Sequence, residues 1–150
     1  MRVWRICRRR YAAFDGEGAR IAGGRWNRRG TAVVYASATL SLALVEILVH
    51  LPSGVLPAFS AILVEFDDAL TTALSAKDLP SNFQADPVPR ETMAVGDAWI
   101  RSGRSAVLSV PSAIVPMERN YLFNPGHPDF PRVRIGRPQG FPLDARLSRR

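Results

Sequence analysis

Three polar side chains of different chemistry fall on successive elements in the first third of the chain. Arg25 follows Gly23-Gly24 and precedes Trp26-Asn27, Tyr35 lies in a β-branched and aromatic run, and Glu46 lies in an apolar stretch. The paired glycines allow a tight turn and a close approach of another group. Arginine and asparagine offer donors to a phosphate or carboxylate, and tryptophan offers a flat apolar face. This grouping is typical of a site for an anionic ligand.

The elements around these residues determine how Glu46 is interpreted. Residues 31–37 predict a short buried strand, and residues 40–51 predict a helix capped by Ser37 or Thr39. That helix is apolar almost all round, which is typical of a buried helix. A carboxylate inside it must be paired, protonated or facing a cleft, since burial without a partner costs roughly several kcal/mol. Arg25 and Tyr35 are the expected neighbours of Glu46, and a purely structural arginine–glutamate bridge stays open as an alternative.

The remaining elements alternate between strands and loops. Strands are predicted over 3–7, 58–66, 106–110 and 132–135, a short helix over 94–101 ended by Gly103, a Gly- and Ala-rich loop over 11–24, a turn over 52–57, a loop or short helix over 67–75, and an extended Pro-rich segment over 79–89. Ser112 lies just beyond a strand, in a dense segment with Asn120, Asn124 and His127. We interpret that segment as a well-ordered loop and His127 as structural.

Bulk composition bounds the class of protein. The 150 residues fit one domain, with a basic tail from about residue 137, and 47% hydrophobic content predicts a globular chain. No apolar run suits a membrane helix or a signal peptide, and a single cysteine, Cys7, favours a reducing cytoplasm. Cys7 is interpreted as a small buried hydrophobe rather than a catalytic thiol. No metal-ligand spacing occurs, so we expect no metal site.

The net charge of +7 suggests a phosphate-bearing ligand, nucleic acid or an acidic protein as the partner. The arginines gather at the two ends of the chain, at 8–10 and 146–150. No zinc-finger spacing, RNP-like strand or clear helix-turn-helix accompanies them. A nucleic-acid-binding module is therefore a minor alternative, and no direct contact with nucleic acid is expected.

The ordered set of motifs resembles the RES-domain family of bacterial toxin–antitoxin toxins, named for an arginine, a glutamate and a serine. The strongest matches are Gly23-Gly24-Arg25-Trp26-Asn27 and Asn120-Tyr121-Leu122-Phe123-Asn124-Pro125. The others are Val3-Trp4-Arg5-Ile6, residues 11–20, Val34-Tyr35, Leu44-Val45-Glu46 and Val110-Pro111-Ser112. They span nearly the whole chain. The resemblance makes Arg25 the arginine, Glu46 the glutamate and Ser112 the serine, and it places Arg5 and Tyr35 in the same cleft.

The resemblance also implies a fold and an activity. The fold expected is a single α+β domain like that of ADP-ribosyltransferases, with a split, bent sheet and flanking helices. The activity expected is NAD degradation by cleavage of the nicotinamide–ribose bond, with water or phosphate as acceptor. NAD is then a substrate, and no cofactor is expected. Glu46, Arg25 and Ser112 would be catalytic, and Arg5, Arg25, Tyr35 and Ser112 would bind NAD.

The same resemblance implies partners and leaves alternatives. An Xre-like antitoxin would neutralise the toxin and make any DNA contact, and a toxin homodimer built on apolar surface is expected. The alternatives are an ADP-ribosyltransferase acting on a host protein and a catalytically inactive antitoxin-binding protein. The acceptor and the roles of Asn120, Asn124 and His127 stay open.

Overall fold

A curled mixed sheet is the main feature of the computed structural model, which describes residues 1–54 and 57–148. Part of the turn over 52–57 and the last two arginines of the basic tail therefore lie outside the described residues. The strands are β1 (Arg2–Arg8), β2 (Val34–Ser37), β3 (Phe59–Glu65), β4 (Thr71–Ala73), β5 (Val107–Pro111), β6 (Arg119–Phe123), β7 (Arg134–Ile135) and β8 (Gln139–Phe141). Their order is β4-β5-β6-β2-β1-β3-β7, and β8 also pairs with β3. Among these pairs, β4 and β5 run parallel and the others antiparallel.

The sheet is split between its two central strands. β1 and β2 share a single paired position, Trp4 with Ser37, whereas β1 pairs with β3 over seven positions and β2 pairs with β6 over four. The backbone of β1 therefore diverges from that of β2 beyond Trp4. A donor from the Arg5 side chain spans the gap, since its Nη1 lies 3.1 Å from the carbonyl oxygen of Tyr35. The split opens a space in the middle of the domain.

Apolar side chains on the two faces of the sheet anchor it. One cluster includes Val3, Val34, Ile62 and Phe123, which are almost completely buried. Two further clusters lie where helices cover the sheet, one of them centred on Trp26 and the other on Ile6 and Phe59. Burial of this apolar surface holds the two halves of the split sheet in a fixed relation.

Three helices flank the sheet in the part of the chain described: α1 (Glu17–Ala22), α2 (Leu40–Leu48) and α3 (Arg90–Ser102). Thr39 caps α2, since its hydroxyl accepts a hydrogen bond from the Leu42 amide at 3.0 Å. The prediction that this helix is buried on all sides was wrong. Only Leu42 and Ala43 are buried, and Val49 at its C-terminal end is 51% exposed. No helix among the described residues is long and apolar enough to cross a membrane.

The predicted α+β class with a split, bent sheet is confirmed, but several elements differ from the sequence-based prediction. The loop predicted over 11–24 contains α1, and residues 71–73 form an edge strand. The segment predicted as a loop after Ser112 contains β6, a central strand that pairs with both β2 and β5. β7 is not the last strand, because β8 follows in the predicted basic tail and pairs with β3.

Candidate active site

A cavity of about 650 Å³ opens at the split in the sheet. This volume lies within the range typical of small-molecule sites. Its charged and imidazole-bearing lining residues are Arg5, Arg10, Arg25, Asp15, Glu17, Glu46 and His50, and its aromatic lining residues are Trp4, Tyr11, Trp26 and Tyr35. Four of the five residues predicted for the site line this cavity, and the fifth, Ser112, does not.

The Glu46 carboxylate is held at one of its oxygens. Oε1 accepts a hydrogen bond from the Ser112 hydroxyl at 2.7 Å and another from Asn120 Nδ2 at 2.6 Å. In the described part of the chain, no hydrogen bond to Oε2 is found, and the side chain lines the cavity. The carboxylate therefore has one fixed oxygen and one available to a ligand. The predicted neighbours Arg25 and Tyr35 are not its hydrogen-bond partners, so the alternative of a structural arginine–glutamate bridge was wrong.

Ser112 is fully buried directly after β5, and its side chain forms a hydrogen bond with Glu46. Its hydroxyl donates to Glu46 and accepts hydrogen bonds from the amides of Ile114 and Val115 at 3.1 and 3.0 Å. A hydroxyl has one donor and two acceptor positions, so all of them are occupied. This geometry fits a residue that orients the carboxylate.

Arg25 lines the cavity and forms hydrogen bonds with a neighbouring segment. Its Nη1 donates to the carbonyl oxygens of Phe83 at 2.6 Å and Ala85 at 3.0 Å. On the same segment, Gln84 Nε2 donates to the carbonyl oxygen of Ala113, another lining residue, at 3.0 Å. Residues 80–88, called the strap below, thus connect the Arg25 wall to the loop beyond Ser112. Both Nη1 hydrogens are used, which leaves the edge formed by Nε and Nη2 for an anion.

Tyr35 fixes the loop that carries Arg25. Its hydroxyl donates to Asn27 Oδ1 at 2.6 Å and accepts from the Trp26 amide at 3.1 Å. Burial raises the pKa of Tyr35 well above its usual value, against a smaller opposing effect of the Trp26 amide. A Cβ at Gly24 would lie 2.7 Å from the Tyr35 hydroxyl oxygen, so the close approach predicted at this glycine is made by the protein's own tyrosine. Tyr35 presents its ring to the cavity while its hydroxyl is occupied.

Asn27 is not free to bind a phosphate, contrary to its sequence-based interpretation. The residue is fully buried, and its Nδ2 lies 3.0–3.1 Å from the carbonyl oxygens of Ala19, Arg28 and Thr31. The amide thereby ties α1 to the loop that carries Arg25. Its role in the structure is to shape that loop.

Helix α3 holds the same loop from the other side. The nearly buried carboxylate of Asp97 accepts from the Arg28 amide at 3.1 Å and lies 3.4 Å from Arg28 Nη1. At Gly96, an added Cβ would overlap the carbonyl oxygen of Trp26. Gly96 and Asp97 therefore let α3 press directly against the backbone next to Arg25. Sequence reasoning missed both, although a glycine inside a predicted helix was a usable signal.

Arg5 lies at the split, and only part of the hydrogen-bonding capacity of its guanidinium group is used. Its Nη1 donates to the backbone carbonyl oxygen of Tyr35, and its buried Nε has no partner among the described residues. A buried donor without a partner costs roughly 1–3 kcal/mol. This places an unsatisfied cationic group in the cavity wall.

The late polar residues divide between the site and the scaffold. Asn120 contacts Glu46 directly, and Ser37 in turn donates to Asn120 Oδ1 at 2.7 Å. Asn124 Oδ1 accepts from the Gly126 amide, and His127 contacts the Gly103 carbonyl oxygen and the Asp129 amide. His127 is thus structural, in agreement with its interpretation. Sequence reasoning missed Ser37 as a site residue and assigned no role to Asn120.

Similarity to known proteins identifies the family of the chain. The model of the RES domain matches residues 2–144. The chain belongs to the RES family. It is 40% identical to "Toxin Res" of Yersinia enterocolitica, with 99% of this chain and 100% of that protein covered. It is 42% identical to the "Prs ADP-ribosylating toxin" of Sphingobium sp. strain YBL2, over 98% of this chain and 96% of that toxin. The predicted family is therefore confirmed, and this RES protein is a toxin by its family.

A solved structure supports the fold. The crystal structure of the M. tuberculosis MbcT–MbcA toxin–antitoxin complex contains a chain similar to this RES toxin, with a TM-score of 0.75. The similarity covers 98% of this chain and 86% of that chain at 17% sequence identity. At this identity the likeness establishes the fold.

Proposed function

We propose that this RES toxin cleaves the nicotinamide–ribose bond of NAD and transfers the ADP-ribosyl group to water or phosphate. The observation that carries the proposal is the Glu46 carboxylate, with Oε1 held by Ser112 and Asn120 and Oε2 available in a cavity that also contains Arg5 and Arg25. A fixed anion beside a reacting carbon stabilises positive charge developing there. Two arginines in the same cavity suit the pyrophosphate of a dinucleotide.

The proposed chemistry is a displacement at the ribose C1′ atom. The bond to the nicotinamide nitrogen breaks, and neutral nicotinamide leaves with the bonding electron pair. The ribose then resembles an oxocarbenium ion, which Glu46 Oε2 stabilises. Water or phosphate forms the new bond to C1′. A proton of attacking water passes to solvent, directly or through the carboxylate.

The other residues have separate roles in this proposal. Arg25 binds the pyrophosphate through its Nε–Nη2 edge while Nη1 stays bonded to the strap, and the guanidinium group of Arg5, which also lines the cavity, adds a second positive charge. The Tyr35 ring forms a wall for the nicotinamide or its ribose. Ser112 acts through Glu46, because its hydroxyl is already fully engaged. This differs from the direct contact with NAD that the resemblance implies.

The partner in this proposal is an Xre-like antitoxin whose inserted segment blocks the cavity. The similar M. tuberculosis chain comes from a toxin–antitoxin complex, which supports an antitoxin partner. A carboxylate-bearing segment would compete with NAD phosphates for Arg5 and Arg25. A toxin homodimer is also proposed, and exposed apolar side chains support it: Val49, beside the lining residue His50, is 51% exposed, and Met117 is 97% exposed.

The test of the activity is release of nicotinamide from NAD by the purified toxin, followed by chromatography with and without phosphate. We expect nicotinamide together with ADP-ribose, or with its 1″-phosphate when phosphate is present. A folded toxin that releases no nicotinamide under either condition would refute the proposal. The same assay on the antitoxin complex, with NAD binding measured in parallel, tests occlusion. A complex that binds NAD as tightly as the free toxin would rule out cavity blocking.

Transfer to a protein is the second candidate, and the name of the Sphingobium relative favours it. It requires the same Glu46 chemistry and differs in the acceptor alone. Mass spectrometry of a host-protein extract incubated with toxin and NAD distinguishes the two. A stoichiometric mass gain of one ADP-ribosyl group on a protein, without free ADP-ribose or its phosphate, would select transfer.

A further inference from the structure

Ser37 and Asn120 face each other across the strand pair β2–β6, directly beneath Glu46. The two residues are paired in register, so their side chains lie on the same face of the sheet. Ser37 Oγ donates to Asn120 Oδ1 at 2.7 Å, and Asn120 Nδ2 donates to Glu46 Oε1 at 2.6 Å. Ser37 is 4% exposed, so water competes weakly for its hydroxyl. The three groups form one directed chain of hydrogen bonds.

We propose that Ser37 is a positioning residue that acts on the Glu46 carboxylate through Asn120, a role that rests on the NAD cleavage proposed above. An ionised carboxylate only accepts hydrogen bonds, so Asn120 must present its NH₂ group to Glu46. Its carbonyl oxygen then points the other way and needs a donor. The Ser37 hydroxyl supplies that donor and thereby fixes which end of the amide faces the carboxylate.

The consequence lies in the orientation of Glu46. Asn120 and Ser112 together hold Oε1, and this directs Oε2 into the cavity. Without the Ser37 hydroxyl, the Asn120 carbonyl oxygen is left without its partner, and the amide is free to rotate. A rotated amide would present its oxygen to the carboxylate and repel it. The carboxylate would then spend less time in the geometry that stabilises the reacting ribose.

Two simpler roles for Ser37 make different predictions. Ser37 lines the cavity, so it could contact NAD directly, and removing it would then raise KM whatever stands at position 120. It could also be a buried hydroxyl that only stabilises the sheet, in which case the folded fraction would change and kcat would not. A residue that acts through Asn120 lowers kcat, leaves KM nearly unchanged and has no effect once Asn120 is removed.

The kinetic test is a double-mutant cycle with Ser37→Ala, Asn120→Ala and the double variant, measured as nicotinamide release. Ser60→Ala is the matched control, because Ser60 is also a buried strand serine (3% exposed) but does not line the cavity. We expect Ser37→Ala to lower kcat roughly tenfold, with KM changed less than about twofold. The double variant should equal Asn120→Ala, and Ser60→Ala should retain the parent kcat. An additive double variant, or an effect confined to KM, would overturn the proposal.

A second measurement does not depend on activity and separates failure of this proposal from failure of NAD cleavage. In a ¹⁵N-labelled toxin, the Asn120 side-chain NH₂ resonances are assigned by their loss in Asn120→Ala. We expect them to shift and to exchange faster with solvent in Ser37→Ala, and to stay unchanged in Ser60→Ala. Unchanged Asn120 resonances in Ser37→Ala would overturn the positioning role, whether or not the parent toxin cleaves NAD. If the alanine variant does not fold, Ser37→Cys replaces it: its thiol is a much weaker donor of similar size, so the Asn120 resonances should still shift and kcat should still fall, though less, and unchanged resonances would overturn the positioning role.

Discussion

Replacing Glu46 with glutamine tests the centre of the proposed site with little change in shape. The Glu46→Gln variant keeps an oxygen that accepts from Ser112 and Asn120, the two donors that lie 2.7 and 2.6 Å from Oε1 in the parent. The amide nitrogen of the new side chain takes the place of Oε2 on the cavity side. Two neutral-acceptor hydrogen bonds replace two charge-assisted ones, a change of about 1 kcal/mol each at most. We therefore expect Glu46→Gln to fold.

The expected loss of activity is much larger than this change in stability. A unit negative charge about 4 Å from a developing positive charge contributes about 4 kcal/mol at an effective dielectric constant near 20. Because each 1.4 kcal/mol corresponds to about a tenfold change in rate, kcat should fall by about two to three orders of magnitude. NAD binding should change little, because the arginines that would bind its phosphates are retained.

The assay is nicotinamide release at saturating NAD, together with thermal unfolding of each variant. Glu118→Gln is the matched control, since this carboxylate lies near the same helix and contacts Thr39 at 3.2 Å but does not line the cavity. It should retain the parent rate. If Glu46→Gln consumes NAD at the parent rate, Glu46 is structural and the proposed mechanism is wrong.

Three further substitutions test the surroundings of the site. Arg25→Lys should weaken binding of a non-cleavable NAD analogue at least about tenfold in calorimetry, since one ammonium group cannot bind the strap and a phosphate together. Arg29→Lys is the control and should bind like the parent, because Arg29 lies in the same loop but does not line the cavity. Burial raises the pKa of Tyr35 in the folded toxin, so the contribution of its protonated form to stability is complete below about pH 10 and is lost as the pH rises further. In denaturant unfolding between neutral and alkaline pH, Tyr35→Phe should therefore lose less free energy of unfolding than the parent. An equal loss of unfolding free energy would contradict this. Gly96→Ala should destabilise the fold by about 1–3 kcal/mol, because the added Cβ clashes with the loop that carries Arg25. Gly18→Ala is the control and should not destabilise the fold, because the space around Gly18 is open. Equal melting temperatures for these two variants would refute the packing argument.

The identity of the family could be obtained from the sequence, but the partners of Glu46 could not. Arg25 and Tyr35 were the expected partners because they lie nearby in the chain. The actual donors, Ser112 and Asn120, lie 66 and 74 residues away from Glu46. They reach it because β6 pairs with both β2 and β5, a long-range arrangement that no local pattern encodes.

The composition of strand β6 explains in physical terms why the sequence did not predict it. Its first two residues, Arg119 and Asn120, are polar, and a central strand is expected to be apolar. Both polar groups are satisfied inside the fold: Arg119 donates to Ser109 at 2.7 Å, and Asn120 bonds to Ser37 and Glu46. Internal hydrogen bonds offset the cost of burying these polar groups. The apolar run expected of a central strand is therefore missing from the sequence at the place where the site is built.

Arg25 joins two features that the sequence left separate, the anion site and the segment that borders it. A Pro-rich segment was expected to be extended and carried no functional signal. In the fold, its carbonyl oxygens at Phe83 and Ala85 occupy both hydrogens of Arg25 Nη1, and this fixes the plane of the guanidinium group. The Nε–Nη2 edge is then presented in one orientation before any ligand arrives, so an anion there loses less entropy on binding. Arginine at this position therefore binds the strap with one nitrogen and keeps a second edge for an anion, and only a planar group with several donors can do both.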